Sequence, residues 1–125
     1  IILLLFTNNS SYAFEATAKQ FSTACFAAAD YLNRVDKNTE PNREARFGMA
    51  FMLGFRQGLI ASEVFNNDNQ DIGKDALCIP AATSNKELTI VVAEWLKNHP
   101  ERLSNIALAE IVLALHKAFP CPQEK

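Results

Sequence analysis

Few side chains in this sequence can do covalent or metal chemistry. There are three cysteines, Cys25, Cys78 and Cys121, and two histidines, His99 and His116. A thiol hydrolase needs a nucleophilic cysteine and a histidine that meet in space. Cys25 recurs with apolar residues at helical spacing, which reads as a small buried hydrophobe. His116 falls in the last turn of an expected helix, where a cation is favourable without catalysis. His99 precedes Pro100 at a helix junction, where capping or exposure accounts for it. Glu94 with His99, and Glu110 with His116, lack paired-ligand spacing for zinc. No glycine-rich phosphate loop, HExxH pair or G-x-S-x-G elbow is present. The chain is therefore expected to be a binding protein rather than an enzyme, with no metal and no cofactor.

Binding chemistry is concentrated in one stretch. Residues 66–77, Asn-Asn-Asp-Asn-Gln-Asp-Ile-Gly-Lys-Asp-Ala-Leu, read as the clearest loop, because their Asn, Asp and Gly favour turns over helix interiors. From Glu63 to Asp75 there are four acids and one lysine, a local charge of −3, against −2 for the whole chain. Loops longer than about 12 residues are more often functional or disordered than simple joins. Acids there suit a partner cleft lined with cationic groups. The candidate partner-binding set is Glu63, Asn66, Asn67, Asp68, Asn69, Gln70, Asp71, Lys74 and Asp75. Arg56, Gln57 and Glu63 are candidates for a second contact or a dimer face. Twelve basic against fourteen acidic residues lack the basic footprint of a nucleic-acid binder.

The elements that must position this stretch are helical. Residues 15–35 carry an apolar stripe of Phe21, Ala24, Cys25, Ala28, Tyr31, Leu32 and Val35 at three- and four-residue steps. Pro41 suits the first turn of a second helix over 42–65, capped near Thr39 or Glu40. The middle of that helix, Phe47 to Phe55, is apolar nearly all round, the profile of a central helix. Gly48, Gly54 and Gly58 cost helix propensity, and close approach by another helix would compensate. Ser84-Asn85-Lys86-Glu87 is a capping box opening a third helix with Leu88, Val91, Val92, Trp95 and Leu96 on one side. A fourth helix follows Asn98-His99-Pro100, with Leu103, Ile106, Ala107, Ile111, Ala114, Leu115 and Phe119 as its stripe. Nine glycines and prolines in 125 residues disfavour a turn-rich β chain. The expected fold is all-α, a compact bundle of about four helices.

The start of the chain is expected to lie outside that bundle. Ile1–Phe6 is a bare apolar run, and a polar stretch ending Ser11-Tyr12-Ala13 follows. This reads as the tail of a secretory signal peptide cleaved before Phe14. The run is far below the roughly 20 residues of a membrane span. Residues 14–125 would then be the mature helical domain, working in the periplasm or a similar oxidising space with no membrane anchor. Three cysteines in such a space imply one bridge and one thiol left over. Cys78 and Cys121 share a proline-marked setting at helix edges. Their pairing is favoured over either one with Cys25, and would contribute about 3–4 kcal/mol by restricting the unfolded chain.

Several segments together resemble a known family. Phe51-Met52-Leu53-Gly54-Phe55-Arg56-Gln57-Gly58, Cys78-Ile79-Pro80, Val91 to Glu101, and Ala118-Phe119-Pro120-Cys121-Pro122 follow a known order of motifs. They are similar to those of the periplasmic immunity proteins of type VI secretion amidase effectors, the Tai and Rap group. The similarity covers about Cys25 to Pro122. It implies a small secreted α-helical protein with a disulfide, often a homodimer. Such a protein binds a cognate peptidoglycan amidase, an NlpC/P60-like Cys–His peptidase, and occludes its cleft with a projecting loop. By position that loop matches residues 66–77. The sequence departs from the family at Gly48, where a second N-terminal cysteine is expected, at Ala50 in place of Gly, and at Phe51 in place of Tyr. Cys25 is thereby left without its usual partner. The competing expectation is a periplasmic helical chaperone or small-ligand carrier using the glycine-containing second helix.

Overall fold

The computed structural model describes residues 16–34, 36, 38–65 and 77–122, with the side chains of residues 63–65 excepted. The described residues form four α-helices, α1 (Ala18–Asn33), α2 (Arg43–Phe65), α3 (Asn85–Asn98) and α4 (Ala107–Ala118). A short 3₁₀ turn, Pro100–Arg102, lies between α3 and α4. The all-α bundle expected from the periodicity is the fold observed. Among the described residues there is no strand, only an isolated bridge between Thr17 and Ile106.

Helix α1 is the hub, packing against each of the other three. Its stripe of Phe21, Ala24, Cys25 and Ala28 is fully buried. Val35, the last stripe residue expected, lies outside the described residues. The helix starts with a complete capping box. Thr17 Oγ1 accepts from the Gln20 amide at 3.2 Å, and Gln20 Oε1 accepts from the Thr17 amide at 3.0 Å. The first N–H groups of a helix have no partner within it. Here the Ala18 and Lys19 amides donate to the Asn105 and Leu103 carbonyls, both at 2.8 Å. The Ala107 amide donates back to the Ala16 carbonyl at 2.8 Å. The α3–α4 connector thus closes the start of α1.

Helix α2 was expected to be the central helix and is not. Ala45, Gly48 and Met52 face inward and are buried, whereas Phe47, Leu53 and Ile60 are about half exposed. An all-round apolar sequence shows that a helix tolerates burial on every side. It does not supply the elements to cover the second side. The cap also differs from expectation. Asn42 Oδ1 accepts from the Ala45 amide at 2.8 Å, and Pro41 stands just outside the helix. Only one of the three glycines is a close approach. A Cβ on Gly48 would come within 2.8 Å of the Ala24 carbonyl carbon and 2.9 Å of Ala28 Cβ. At Gly54 and Gly58 a Cβ would meet open space.

The core joins Phe21 and Cys25 of α1, Met52 of α2, Leu88, Val92 and Leu96 of α3, and Ile111 and Leu115 of α4. Phe51 of α2 stacks obliquely on Phe21 with ring centroids 4.6 Å apart. The fourth helix starts later than its apolar pattern suggested. The chain makes the 3₁₀ turn after His99, and α4 begins only at Ala107. The carbonyls of Leu103 and Asn105 are taken by α1, so this stretch cannot form a regular helix of its own. No described helix is long and apolar enough to cross a membrane.

Candidate functional site

The candidate binding stretch begins at the end of α2 and returns at Leu77. Glu63 stands on the last turn of α2. Asn66, Asn67, Asp68, Asn69, Gln70, Asp71, Lys74 and Asp75 lie outside the described residues. The structure does describe the return. Leu77 and Ile79 are half-buried against the core. Between them Cys78 is bonded to Cys121, 43 residues further on, with Cα atoms 4.9 Å apart. The pairing favoured from the proline-marked settings is therefore the one present.

The chain then turns, with the Thr83 amide donating to the Pro80 carbonyl at 2.9 Å. Ser84 Oγ accepts from the Glu87 amide at 3.1 Å and starts α3. This is one half of the capping box expected there. Arg56 reaches across from the middle of α2 to hold this turn. Its guanidinium donates to the Thr83 carbonyl, to Asn85 Oδ1 at 3.0 Å and to the Ala81 carbonyl at 3.3 Å. The sequence placed Arg56 with Gln57 as an outward contact residue. In the structure its planar fork, which suits several acceptors at once, is engaged by this turn, while the side chain stays half-exposed. Gln57 is exposed.

A second polar cluster closes the other end of the bundle. Glu110 is fully buried on α4. Its carboxylate accepts from Trp95 Nε1 at 2.8 Å, from Arg102 Nε at 3.0 Å and from Asn105 Nδ2 at 2.9 Å. Burial alone would raise the Glu110 pKa. The hydrogen bonds from Arg102, Trp95 and Asn105 and the Arg102 charge outweigh it and hold the group below the usual glutamate range. Arg102 is raised in turn, chiefly by its bond to Glu110. The His99 ring stacks on Trp95 with centroids 3.8 Å apart, and its Nδ1 lies 2.8 Å from the Trp95 carbonyl oxygen. With the proton on Nδ1, His99 donates to that carbonyl. Sequence spacing does not show this cluster, because its donors come from Trp95, Arg102 and Asn105 on α3 and the connector. The available signal was one acid among the apolar positions of the α4 stripe, which must find donors if buried.

Neither cluster has the form of a catalytic site. Cys25 is buried, its thiol donates weakly to the Thr89 carbonyl at 3.8 Å, and burial pushes its pKa up to about 12. An activated thiol requires the opposite shift. Among the described residues no group of acids, cysteines and histidines is arranged to hold a metal ion. A shallow cavity of 170 Å³ lies between α1 and the start of α2, beside Asp30, Tyr31 and Glu40. That is below the roughly 300 Å³ at which ligand pockets begin.

Fold and site together define a class: a small all-α, disulfide-bridged protein whose buried polar groups, among the described residues, support structure. A family model for Rap1a immunity proteins matches residues 17–121. The chain belongs to the Rap1a immunity protein family. No match was found among curated proteins or among solved structures. The matched range contains both clusters, the bridge and the acidic stretch.

Proposed function

We propose that this protein binds and inhibits a cognate peptidoglycan amidase effector of a type VI secretion system. The effector is an NlpC/P60-like Cys–His peptidase. The inhibitor acts in the periplasm, after removal of residues 1–13 as a signal peptide, and as a homodimer. Inhibition is steric and electrostatic. The stretch carrying Glu63, Asn66 to Asp71, Lys74 and Asp75 fills the effector's cleft, with Asp68, Asp71 and Asp75 toward its histidine or cationic rim. The observation that carries this reading is the family match over residues 17–121. The charge concentration at residues 63–75 supports it, as does the fastening of the segment's return by the bridge and Arg56. A segment whose ends are fixed loses less entropy on docking.

The test uses a type VI amidase encoded beside this chain's gene, with release of peptidoglycan stem fragments as the readout. The unaltered protein is expected to block release at equimolar ratio. Replacing residues 67–71 with a Gly/Ser linker should abolish inhibition while leaving the melting curve within about 0.5 kcal/mol, as for a surface change. Undiminished inhibition by the linker variant would sink the loop reading. Sedimentation equilibrium tests the homodimer independently.

A further inference from the structure

Two fastenings act on one stretch of chain, residues 77–85. The Cys78–Cys121 bridge ties its start to the chain just beyond α4. Arg56 holds its end, through the Thr83 and Ala81 carbonyls and the Asn85 side chain. A dithiol can open the first fastening, whereas no reductant touches the second. Neither is part of the apolar core, whose buried side chains come from all four helices. Cys78 is exposed and Cys121 half-buried.

We propose that the bridge is a redox-sensitive strap whose opening acts locally, because Arg56 keeps the α2–α3 junction closed once the sulfur link is gone. The chemistry is thiol–disulfide exchange. A dithiol supplies two electrons and two protons, the S–S bond becomes the two thiols of Cys78 and Cys121, and the dithiol leaves as its own disulfide. Exchange requires a thiolate to reach a sulfur, and the exposure of Cys78 provides that access. Opening releases residues 77–80 from residues 119–122. The turn at Pro80–Thr83 and the Ser84 cap keep their partners. In the chain-entropy account a bridge acts chiefly on the unfolded state, so reduction lowers the melting temperature, by roughly 15 °C. Only Leu77, Ile79 and Phe119 at the edge of the core loosen, and the fully buried side chains of the four helices keep their contacts. Its consequence for inhibition, a weaker grip on the effector by a still-folded protein, rests on the loop reading above.

Amide hydrogen exchange on the full chain tests the strap without any effector, so its failure is separate from failure of the loop reading. The protein is compared oxidised and after dithiothreitol treatment, well below the melting range, as wild type and as Arg56→Lys. In the reduced wild type, exchange should accelerate at least tenfold at Phe119, whose amide donates to the Leu115 carbonyl, and not at Thr83, Glu87 or Leu88. In reduced Arg56→Lys, which keeps the charge but loses the fork, acceleration should spread to residues 81–88. A Cys78→Ser/Cys121→Ser double variant should reproduce the reduced wild-type map without reductant. If Arg56→Lys does not fold, Asn85→Ala, which removes a single acceptor, replaces it. Acceleration through Phe21–Ala28 in the reduced wild type would overturn the proposal, as would unchanged exchange at Phe119. Identical maps for the reduced wild type and the reduced Arg56 variant would also overturn it.

Discussion

The two polar clusters of this protein use the same chemistry for different ends. At one end Glu110 is buried, and every donor around it belongs to the connector or to α3. At the other end Arg56 holds backbone carbonyls at the base of a charged stretch. A buried carboxylate with all its donors inside the fold is a closed arrangement that leaves nothing to offer a partner. A guanidinium that orients a surface segment fixes where other groups are presented. A buried network therefore does not by itself mark a functional site. What separates the two is burial: Glu110 is enclosed, whereas Arg56 is half-exposed and holds the exposed Ala81 and Asn85.

The sharpest way to break this comparison is to remove Glu110. Glu110→Ala leaves the Trp95 and Asn105 donors without an acceptor and should cost about 2–4 kcal/mol, read from chemical denaturation. Any loss of inhibition should follow the loss of fold. The linker variant at residues 67–71 should do the reverse, losing inhibition and keeping stability. If Glu110→Ala proved neutral in stability yet abolished inhibition, the roles assigned to the two clusters would be exchanged.

Next in size is Gly48→Ala. The new methyl has no space beside the Ala24 carbonyl and Ala28, so about 1–3 kcal/mol should be lost. Gly54→Ala and Gly58→Ala place a methyl in open space and should each gain up to about 1 kcal/mol through helix propensity. Denaturant midpoints of opposite sign for the two kinds of site would confirm that α2 is packed on one face only.

Smaller and pH-dependent is the contribution of the Glu110 charge. Its folded pKa lies below its unfolded one, so over the acid range the folded state binds fewer protons than the unfolded state. The stability it contributes is complete above the ordinary glutamate value of about 4.3 and is lost as pH falls through the lower folded value. Glu110→Gln should flatten the acid limb of the stability–pH curve while leaving its neutral-to-basic side parallel to wild type. An unchanged acid limb would mean that other carboxylates govern it.

Much of the fold was legible because helical periodicity is a local property. The stripes of α1 and α3, the Ser84 cap and the stop at Pro120 follow from spacing and from proline geometry. The pairing of Cys78 with Cys121 was legible from their shared setting. The candidate loop could be recognised by composition, but only Glu63 of the proposed set falls on a described helix. The orientation of Arg56 was not legible, since an arginine on an amphipathic helix reads the same whether it faces solvent or three carbonyls. The break before α4 was also hidden, because the carbonyls that interrupt it are claimed by α1, more than eighty residues earlier.

By itself the sequence determined where most helical segments lie and where charge collects, because near neighbours in the chain set both, and it favoured the Cys78–Cys121 pairing through their shared proline-marked setting. Only the tertiary structure decided that α1 rather than α2 is the hub, that Gly48 alone of the α2 glycines is a contact, that Glu110 is buried and that Arg56 bonds the turn before α3. Those outcomes depend on which helix supplies the opposing surface or the missing hydrogen-bond partner, and that partner is distant in the chain.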